Sequence, residues 1–298
     1  MKTAGKLMRV SRFQHTLRHE CHVSGRGYWT GSPVSLVFRP AEPNTGIVFR
    51  RIDLPDQPTI QGLAINRTET SLRTRLRQND AVVDMVEHVM AALYGMQIDN
   101  CLIDVNTSEM PGLDGSAYHY ASAIQQAGIE VQPAPRIMRV IEQPIRIGDD
   151  QQWISAMPSA FPSLTLEYRL DFGDKSPIGA ATVAVELDPE AFLESISPAR
   201  TFILEAEANS LQSKGLARHV TYRDLLVFNE NGPIENSLRF PDECARHKLL
   251  DLIGDLALCG TDIAGRVTAC RSGHILNGRM AESLANPTTS TKVYPKVA

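Results

Sequence analysis

The sequence contains few cysteines, no long apolar run and no excess of positive charge. Its five cysteines, among 298 residues, include no Cys-x-x-Cys pair, which indicates reduced thiols rather than a disulfide framework or a cysteine-based metal site. No apolar stretch approaches the roughly 18 residues of a membrane span, and the basic residues 1–12 lack the apolar segment of a signal peptide. These absences predict a cytoplasmic protein without a transmembrane segment.

The charge balance argues against a broad nucleic-acid-binding surface. The net charge is -4 and residues of both signs are interspersed, so no extended cationic field is available to hold a polyanion. The alternating Arg73, Arg75 and Arg77 are typical of the solvent-facing side of a strand. With 43% hydrophobic and 21% charged residues, the composition is that of a globular enzyme. We expect a small-molecule substrate, no nucleic-acid partner and a monomer.

A decapeptide that begins at Arg246 carries polar residues on a helical face that is otherwise apolar. His247 and Asp251 are four residues apart and project side by side on a helix, as one imidazole and one carboxylate ligand of a metal such as zinc would. Asp255 lies one turn further along this face, where burial of polar groups is costly unless something binds there. A surface ion pair with Lys248 or Arg246 explains the same pattern, and the segment alone leaves both interpretations open.

A second polar pair interrupts an apolar helix predicted over residues 80–95. Asn79 or Asp80 suits the N-cap of this helix, and its surface is apolar nearly all round, which is typical of a buried helix. Glu87 and His88 lie inside it, and buried ionisable groups need partners. A third metal ligand, with a carboxylate base beside it, would give both residues such a partner.

Together these two segments supply two histidines, one aspartate and an open fourth position. That donor set is typical of catalytic zinc sites, whereas structural zinc sites are closed by four protein ligands. Ferrous iron also suits it.

Three other segments fit either a structural or a functional role. Asp114-Gly115 is typical of a helix N-cap. The Thr201 hydroxyl can donate to a developing oxyanion, although a lone threonine is more often structural. His274, next to Gly273, is either an exposed loop residue or a general acid.

The pattern of strands and helices predicts an α+β architecture in two domains. Pro133 and Pro135 interrupt the pattern, so the first domain is placed at 1–132 and the second at 136–298. Strands followed by helices occur once in each half, which favours α+β over alternating βαβ units. The predicted strands are 34–38, 45–52, 101–105, 137–144, 153–157, 164–170 and 181–186, and the predicted helices are 80–95, 116–128, 243–258 and one after Ser272.

Taken in order, these segments resemble the zinc-dependent UDP-3-O-acyl-N-acetylglucosamine deacetylases, which perform the committed step of lipid A synthesis in Gram-negative bacteria. The resemblance runs from about Gln14 to about Asn286, and several motifs in register carry it. They include Val86-Glu87-His88, Leu113-Asp114-Gly115-Ser116-Ala117, Ala199-Arg200-Thr201-Phe202, the stretch from Arg239 through His247 and Asp251 to Asp255, and Ser272-Gly273-His274.

The resemblance implies a fold and a metal site. The fold is two similar α+β domains, each a sheet with two helices, with the helices packed between the sheets. A βαβ insert near residues 203–228 would form a passage for the acyl chain. The family's zinc ligands fall on His88, His247 and Asp251.

The catalytic positions implied by the resemblance are all filled. Glu87 falls at the general base, His274 at the general acid, and Asp255 at the residue that orients this acid. Thr201 falls where the oxyanion is stabilised, and Lys248 adds positive charge near the reaction centre. The positions expected to contact substrate are Phe202 and Lys248.

Four positions depart from the family pattern. Trp29 replaces a histidine, Asp84-Met85 replaces Ser-Thr, Ala217-Arg218-His219-Val220 stands where the family has Gly-Gly-Ser, and Gln152 replaces a lysine. None is a ligand position, so they bear on the identity of the substrate rather than on hydrolysis. The expected activity is release of acetate from UDP-3-O-(3-hydroxyacyl)-N-acetylglucosamine. The alternatives are a related zinc deacetylase acting on a different N-acetylated sugar, and a sugar-nucleotide-binding homologue without activity.

Overall fold

A computed structural model describes residues 8–70 and 72–285 of the chain. Within these ranges, strands and helices form a mixed α+β fold with four sheets and six helices. The strands are β1 Met8–Leu17, β2 Cys21–Arg26, β3 Pro33–Pro40, β4 Ile47–Arg51, β5 Thr59–Gln61, β6 Arg67–Thr68, β7 Arg75–Gln78, β8 Ala81–Asp84, β9 Cys101–Val105, β10 Ile129–Val140, β11 Ile145–Gly148, β12 Trp153–Met157, β13 Leu164–Asp171, β14 Ala180–Glu186, β15 Phe202–Leu204, β16 Leu226–Asn229, β17 Gly232–Pro233 and β18 Asp262–Cys270. The helices are α1 Glu87–Gly95, α2 Tyr118–Ala127, α3 Pro189–Ala191 (continued by a π-helical turn at Phe192–Ile196), α4 Glu205–Ser213, α5 Glu243–Ala257 and α6 His274–Ala285, with a 3-10 turn at Ala64–Asn66.

The strands form two larger and two smaller sheets. The five-stranded sheet has the order β2-β3-β9-β4-β5, in which only β4 and β9 are parallel. In the seven-stranded sheet β18 is central and pairs with β10, β12 and β13. Burial alternates along β3, where Val34, Leu36 and Phe38 are buried, as expected for a strand with one covered face.

Helices α1 and α5 pack against each other, and this contact positions the polar residues of both. Gly254 of α5 lies against the backbone of Glu87 at the start of α1. Helix α5 also contacts α6 and strands β13 and β14, while α1 contacts α2. On α5, Leu249, Leu252 and Ile253 are fully buried, so the helix lies inside the core, as its apolar remainder predicts.

Residues 202–229 contain a βαβ unit. Strands β15 and β16 pair in parallel, α4 connects them, and β17 adds an antiparallel edge strand. The insert expected near residues 203–228 is therefore present.

Several elements match their predicted bounds closely. Strands β9 and β12 agree with the prediction at both ends, and α5 agrees to within one residue. The helix expected after Ser272 is α6. In the part of the chain that the structure describes, none of the helices is long and apolar enough to cross a membrane.

The predicted helix over 80–95 is wrong in its first half. Strand β8 lies there instead, joined to the preceding β7 by a two-residue hairpin turn at Asn79-Asp80, and α1 begins only at Glu87. Asn79 and Met85 have φ angles of 54° and 60°, which right-handed helix excludes. Asn79 and Asp80 therefore form a turn rather than an N-cap.

The N-cap predicted at Asp114-Gly115 is also wrong. Helix α2 begins after Ala117, whose side chain makes no cap. The Asp114 carboxylate accepts hydrogen bonds from the N–H and hydroxyl of Ser116 at 3.1 and 2.7 Å, and from Arg239 at 2.8 Å. These bonds tie the loop before α2 to the segment before α5.

Strand β10 runs through the predicted domain boundary. Pro133 and Pro135 lie within it, beside a bulge where the pairing register with β1 shifts between Phe13 and Gln14. A bulge tolerates residues that lack an N–H, so the prolines do not end the strand. The two-domain division of the chain stays a prediction.

Candidate metal centre and active site

Helices α1 and α5 bring two histidines and one aspartate together. His88 lies in the first turn of α1, and His247 and Asp251 lie one turn apart on α5. Their ligand atoms all lie within 4.8 Å of one another. Oδ1 of Asp251 is 3.6 Å from Nε2 of His88 and 3.4 Å from Nε2 of His247. The three residues predicted to be metal ligands thus converge on one buried point.

A backbone contact orients His247. Its Nδ1 donates to the backbone oxygen of Ala199 at 3.1 Å, which leaves Nε2 to face the other two residues. A partner of this kind fixes the ring of a metal-binding histidine. The next residue, Arg200, forms a buried two-point ion pair with Glu243 at 2.8 and 3.1 Å, and this pair fastens the Ala199 loop to the first turn of α5.

Neighbouring positive charges favour an ionised Asp251, and burial favours a neutral His247. Burial acts to raise the pKa of Asp251, but Lys248, whose Nζ is 2.5 Å from Oδ2, and the adjacent histidines lower this pKa well below its ordinary value. Burial lowers the pKa of His247 to about 3. Burial also acts to lower the pKa of Lys248, but Asp251 and its other neighbours raise it above its ordinary value.

This donor set fits a divalent metal. Metal ligands must be deprotonated, and an ionised Asp251 with a neutral His247 meets that requirement. Two nitrogens and one oxygen from the protein leave further coordination positions open, as in catalytic rather than structural sites. These three residues are therefore suited to hold a catalytic rather than a structural metal ion.

Glu87 lies beside the cluster, at the start of α1. Its Oε2 accepts a 2.9 Å hydrogen bond from the backbone N–H of Thr74, and its side chain is buried. Burial raises the pKa of Glu87, although His274 and His88 act to lower it. A buried carboxylate with a raised pKa next to a metal-binding cluster is suited to accept a proton.

His274 is buried at the start of α6 rather than exposed on a loop. Its Nδ1 donates to Oδ2 of Asp255 at 2.9 Å, and the same oxygen accepts from the side-chain amide of Asn277 at 3.0 Å. Burial acts to lower the pKa of His274, but Asp255, together with Asp251 and Glu87, raises this pKa to about 9. The ring is therefore cationic at neutral pH and has the charge of a proton donor.

A cavity of about 580 Å³ opens onto these groups. Apolar side chains of the βαβ unit and its loops, among them Leu211, Val220 and Leu225, also line it. Asp255 is fully buried and contacts the cavity through His274. The predicted site residues that line the cavity directly are Glu87, His88, Thr201, Phe202, His247, Lys248, Asp251 and His274.

Three of the four departures from the family pattern lie at or beside this cavity. Trp29, Met85, Ala217 and Val220 line it. The guanidinium of Arg73 lies 4.8 Å from the centroid of the Trp29 ring and pairs with Asp84 at 3.1 Å. Gln152 lies instead in the exposed turn between β11 and β12.

Sequence reasoning missed Thr74 and the pair of Arg200 with Glu243. Thr74 contacts both Glu87 and Asp255, yet it is a neutral residue in a segment of arginines, with no spacing that marks a site. Arg200 and Glu243 are 43 residues apart, so only the tertiary fold pairs them. The one signal available for this pair was Glu243 itself, a glutamate at the start of a helix predicted to be largely buried, since a buried carboxylate needs a partner.

A candidate metal-binding cluster, a buried carboxylate and a cationic histidine in one cavity are typical of the site of a metal-dependent hydrolase. The model of the UDP-3-O-acyl N-acetylglycosamine deacetylase (LpxC) family matches residues 14–286, and the chain belongs to this family.

Individual relatives agree with that assignment. A protein named UDP-3-O-acyl-N-acetylglucosamine deacetylase from Citrifermentans bemidjiense is 37% identical over 91% of this chain and 88% of its own length. A protein of the same name from Myxococcus xanthus is 36% identical over 97% of this chain and 91% of its own length. A bifunctional enzyme LpxC/FabZ from Bacteroides thetaiotaomicron is 36% identical over 91% of this chain and 64% of its own length. The resemblance found in the sequence is confirmed.

Proposed function

We propose that this protein removes the N-acetyl group of UDP-3-O-(3-hydroxyacyl)-N-acetylglucosamine, releasing acetate, in lipid A biosynthesis. The observation that carries the proposal is the convergence of His88, His247, Asp251, Glu87 and His274 on one cavity in a chain of the deacetylase family. The names of the relatives support the choice of substrate.

Zinc is the proposed metal, held by His88, His247 and Asp251, and ferrous iron also suits this donor set. When bound, zinc supplies Lewis acidity toward a carbonyl oxygen and toward water, whose pKa it lowers to about 7. The protein's own contribution is to prepare the donors. The Lys248 ammonium favours an ionised Asp251, and the backbone oxygen of Ala199 fixes the ring of His247.

Glu87 is the proposed general base. Its raised pKa makes it a stronger proton acceptor than an exposed glutamate, and a base contributes most when its pKa lies near the working pH. The N–H of Thr74 fixes Oε2, so Oε1 remains to take a proton from water as it attacks the amide carbonyl. The attack builds negative charge on the amide oxygen, and Thr201 is proposed to donate a hydrogen bond to that oxygen.

His274 is the proposed general acid. An amine is a poor leaving group until it is protonated, and the imidazolium can supply that proton from Nε2 because Nδ1 is bonded to Asp255. Glu87 and His274 thereby divide the base and acid work between two environments that set their pKa values differently.

Phe202 and Lys248 are the proposed substrate contacts, and the βαβ unit is proposed to hold the acyl chain. A second cavity, of about 390 Å³, shares Leu211, Val220 and Leu225 with the first. These side chains offer the acyl chain an apolar surface that continues away from the metal ligands, and burial there is favourable by about 0.8 kcal/mol per methylene.

The finer architecture is part of the same proposal. We propose two similar α+β domains, at 1–132 and 136–298, each a sheet with two helices packed between the sheets. The support is that α1 packs on α5, while α2 contacts β2 of one large sheet and α5 contacts β13 and β14 of the other. The monomeric state and the cytoplasmic location stay predictions.

A different N-acetylated sugar is the second candidate substrate. Trp29 and Met85 favour it, because they line the cavity at positions where the family pattern has other residues. Assays with the acylated sugar lacking UDP, and with UDP-N-acetylglucosamine lacking the acyl chain, separate the two candidates. A marked preference for a substrate without UDP would favour the second.

The test of the proposed function is acetate release from UDP-3-O-(3-hydroxyacyl)-N-acetylglucosamine by zinc-loaded protein. The control is the same protein after chelation, with zinc then added back. Turnover that is lost on chelation and restored by zinc supports the proposal. Tight UDP binding without turnover in a zinc-replete sample would instead indicate a sugar-nucleotide-binding homologue without activity.

A further inference from the structure

Thr74 is a buried neutral residue that touches both of the proton-handling groups. It immediately precedes β7 and is 2% exposed. It does not line the cavity and belongs neither to the metal cluster nor to the positions implied by the family resemblance.

The backbone of Thr74 holds the proposed base. Its N–H donates to Oε2 of Glu87 at 2.9 Å, and its carbonyl oxygen accepts from the N–H of Val86 at 3.3 Å. Both bonds reach the start of α1, so Thr74 fixes the Glu87 carboxylate and the entry of the chain into the helix that carries it.

The side chain of Thr74 contacts both the proposed acid, His274, and its partner Asp255. Its hydroxyl donates to Oδ1 of Asp255, and its Oγ1 lies 3.2 Å from Nδ1 of His274. A hydroxyl has a single proton to donate, and this one is donated to Asp255. An oxygen lone pair of Thr74 therefore remains to accept a hydrogen bond from the Nδ1–H of His274. That N–H is therefore shared between Asp255 and Thr74.

We propose that Thr74 is a positioning residue for the deacetylation, which sets the location of the acid His274 relative to the base Glu87. This inference rests on the function proposed above. The base lies on α1 and the acid on α6, and Thr74 bonds to both side chains from a third element. Because both groups must meet the same amide, a shift of one relative to the other lowers the rate even when each is intact.

A merely structural role makes a different prediction. If the hydroxyl of Thr74 only satisfied a buried carboxylate, its loss would lower the free energy of unfolding and leave turnover per folded, metal-loaded molecule unchanged. A positioning role predicts a loss of kcat with little change in KM.

Thr74→Val separates these roles because valine has nearly the same shape and retains the backbone N–H to Glu87. We expect kcat to fall by roughly 10- to 100-fold, as is typical when an orienting partner is removed, with the metal content unchanged. Thr74→Ser restores the hydroxyl and is expected to recover most of this loss. The matched control is Thr261→Val, since the Thr261 hydroxyl is buried without a hydrogen-bond partner among the described residues.

A spectroscopic measurement tests the inference independently of turnover. The proton on Nδ1 of His274, held between Asp255 and Thr74, is expected to give a downfield proton NMR signal that His274→Ala removes. Thr74→Val should shift this signal, and Thr74→Ser and Thr261→Val should leave it in place.

Two results would overturn the inference: a kcat for Thr74→Val equal to that of the native protein, or a His274 signal that the valine does not move. An inactive native protein whose signal still shifts in Thr74→Val would count against the proposed reaction and leave the positioning of His274 by Thr74 supported.

Discussion

Gly254 of α5 lies in direct contact with the backbone of Glu87 on α1. A Cβ atom at residue 254 would stand 2.0 Å from the backbone oxygen of Glu87 and 2.8 Å from its carbonyl carbon, closer than such atoms approach in proteins. The missing side chain therefore lets the two helices meet where one carries His88 and the other carries Asp251. The proposed metal site depends on this contact, because each helix supplies only some of the three proposed ligands.

Gly254→Ala is expected to destabilise the protein. At an unobstructed helix position the same change stabilises by about 1 kcal/mol, because alanine favours helix more than glycine. Overpacking of a close contact instead typically costs about 1–3 kcal/mol. The measurement is the free energy of unfolding, from denaturant titration of the metal-free protein. A decrease in Gly254→Ala indicates that the two helices are in close contact at this residue. A more stable variant with native metal binding would contradict it.

Asp251→Ala is expected to lose bound metal, because it removes one of the three proposed protein ligands. Asp251→Asn is the companion variant, since it keeps the side-chain shape and an acceptor for Lys248 but binds metal weakly. The measurement is metal content per protein after dialysis. Asp242→Asn, which alters a partner of Arg246 at the start of the same helix, is the control. Unchanged metal content in both Asp251 variants would rule out this ligand assignment.

Glu87→Ala and Glu87→Gln are expected to retain metal and to lose turnover. A general base typically contributes about 10²- to 10⁴-fold, and neither replacement can accept the proton. Turnover and metal content should be measured on the same preparation, so that loss of the base is distinguished from loss of the metal. A variant with a near-native rate would exclude Glu87 from this role.

The pH dependence of turnover is expected to follow the protonation of His274, the proposed acid. Its pKa is raised from 6.5 to about 9, so an acid that must be protonated sustains turnover at neutral pH, and the rate falls as the pH rises through about 9. Asp255→Asn removes the largest of the contributions that raise this pKa, so the alkaline limb of the rate profile should move to lower pH. The control Asp242→Asn should keep the native limb. An unmoved limb in Asp255→Asn would assign it to another group.

The same pKa shift bears on stability. The folded protein holds a proton on His274 that the unfolded chain releases above its ordinary pKa of 6.5. This contribution to the free energy of unfolding is therefore complete below a pH of about 6.5 and is lost as the pH rises through about 9.

The ionisable residues of the site could be predicted because they stand out in apolar helices. His88 in an apolar segment and Asp251 one turn after His247 need no tertiary information to attract notice, since burial of such groups is costly without a partner. Thr74 could not be found in this way. The residues that it contacts, Glu87 and Asp255, lie on two different helices further along the sequence, and a neutral hydroxyl between arginines has no pattern.

The fold was predictable where an element has one periodicity over its whole length. Helix α5 and strands β9 and β12 are of this kind. The hairpin before α1 was not, because Val82, Val83 and Met85 continue the apolar pattern of the helix backwards. The pair Asn79-Asp80 was the contrary signal, since two such residues also suit the turn of a hairpin.

The most direct test of the account is acetate release measured as zinc is added stepwise to chelated protein, with UDP-3-O-(3-hydroxyacyl)-N-acetylglucosamine as substrate. If His88, His247 and Asp251 form the single catalytic metal site, the rate should rise in proportion to added zinc and stop rising at about one equivalent, as expected for one tight site. Turnover by the chelated protein at the rate of the zinc-loaded protein would contradict the account.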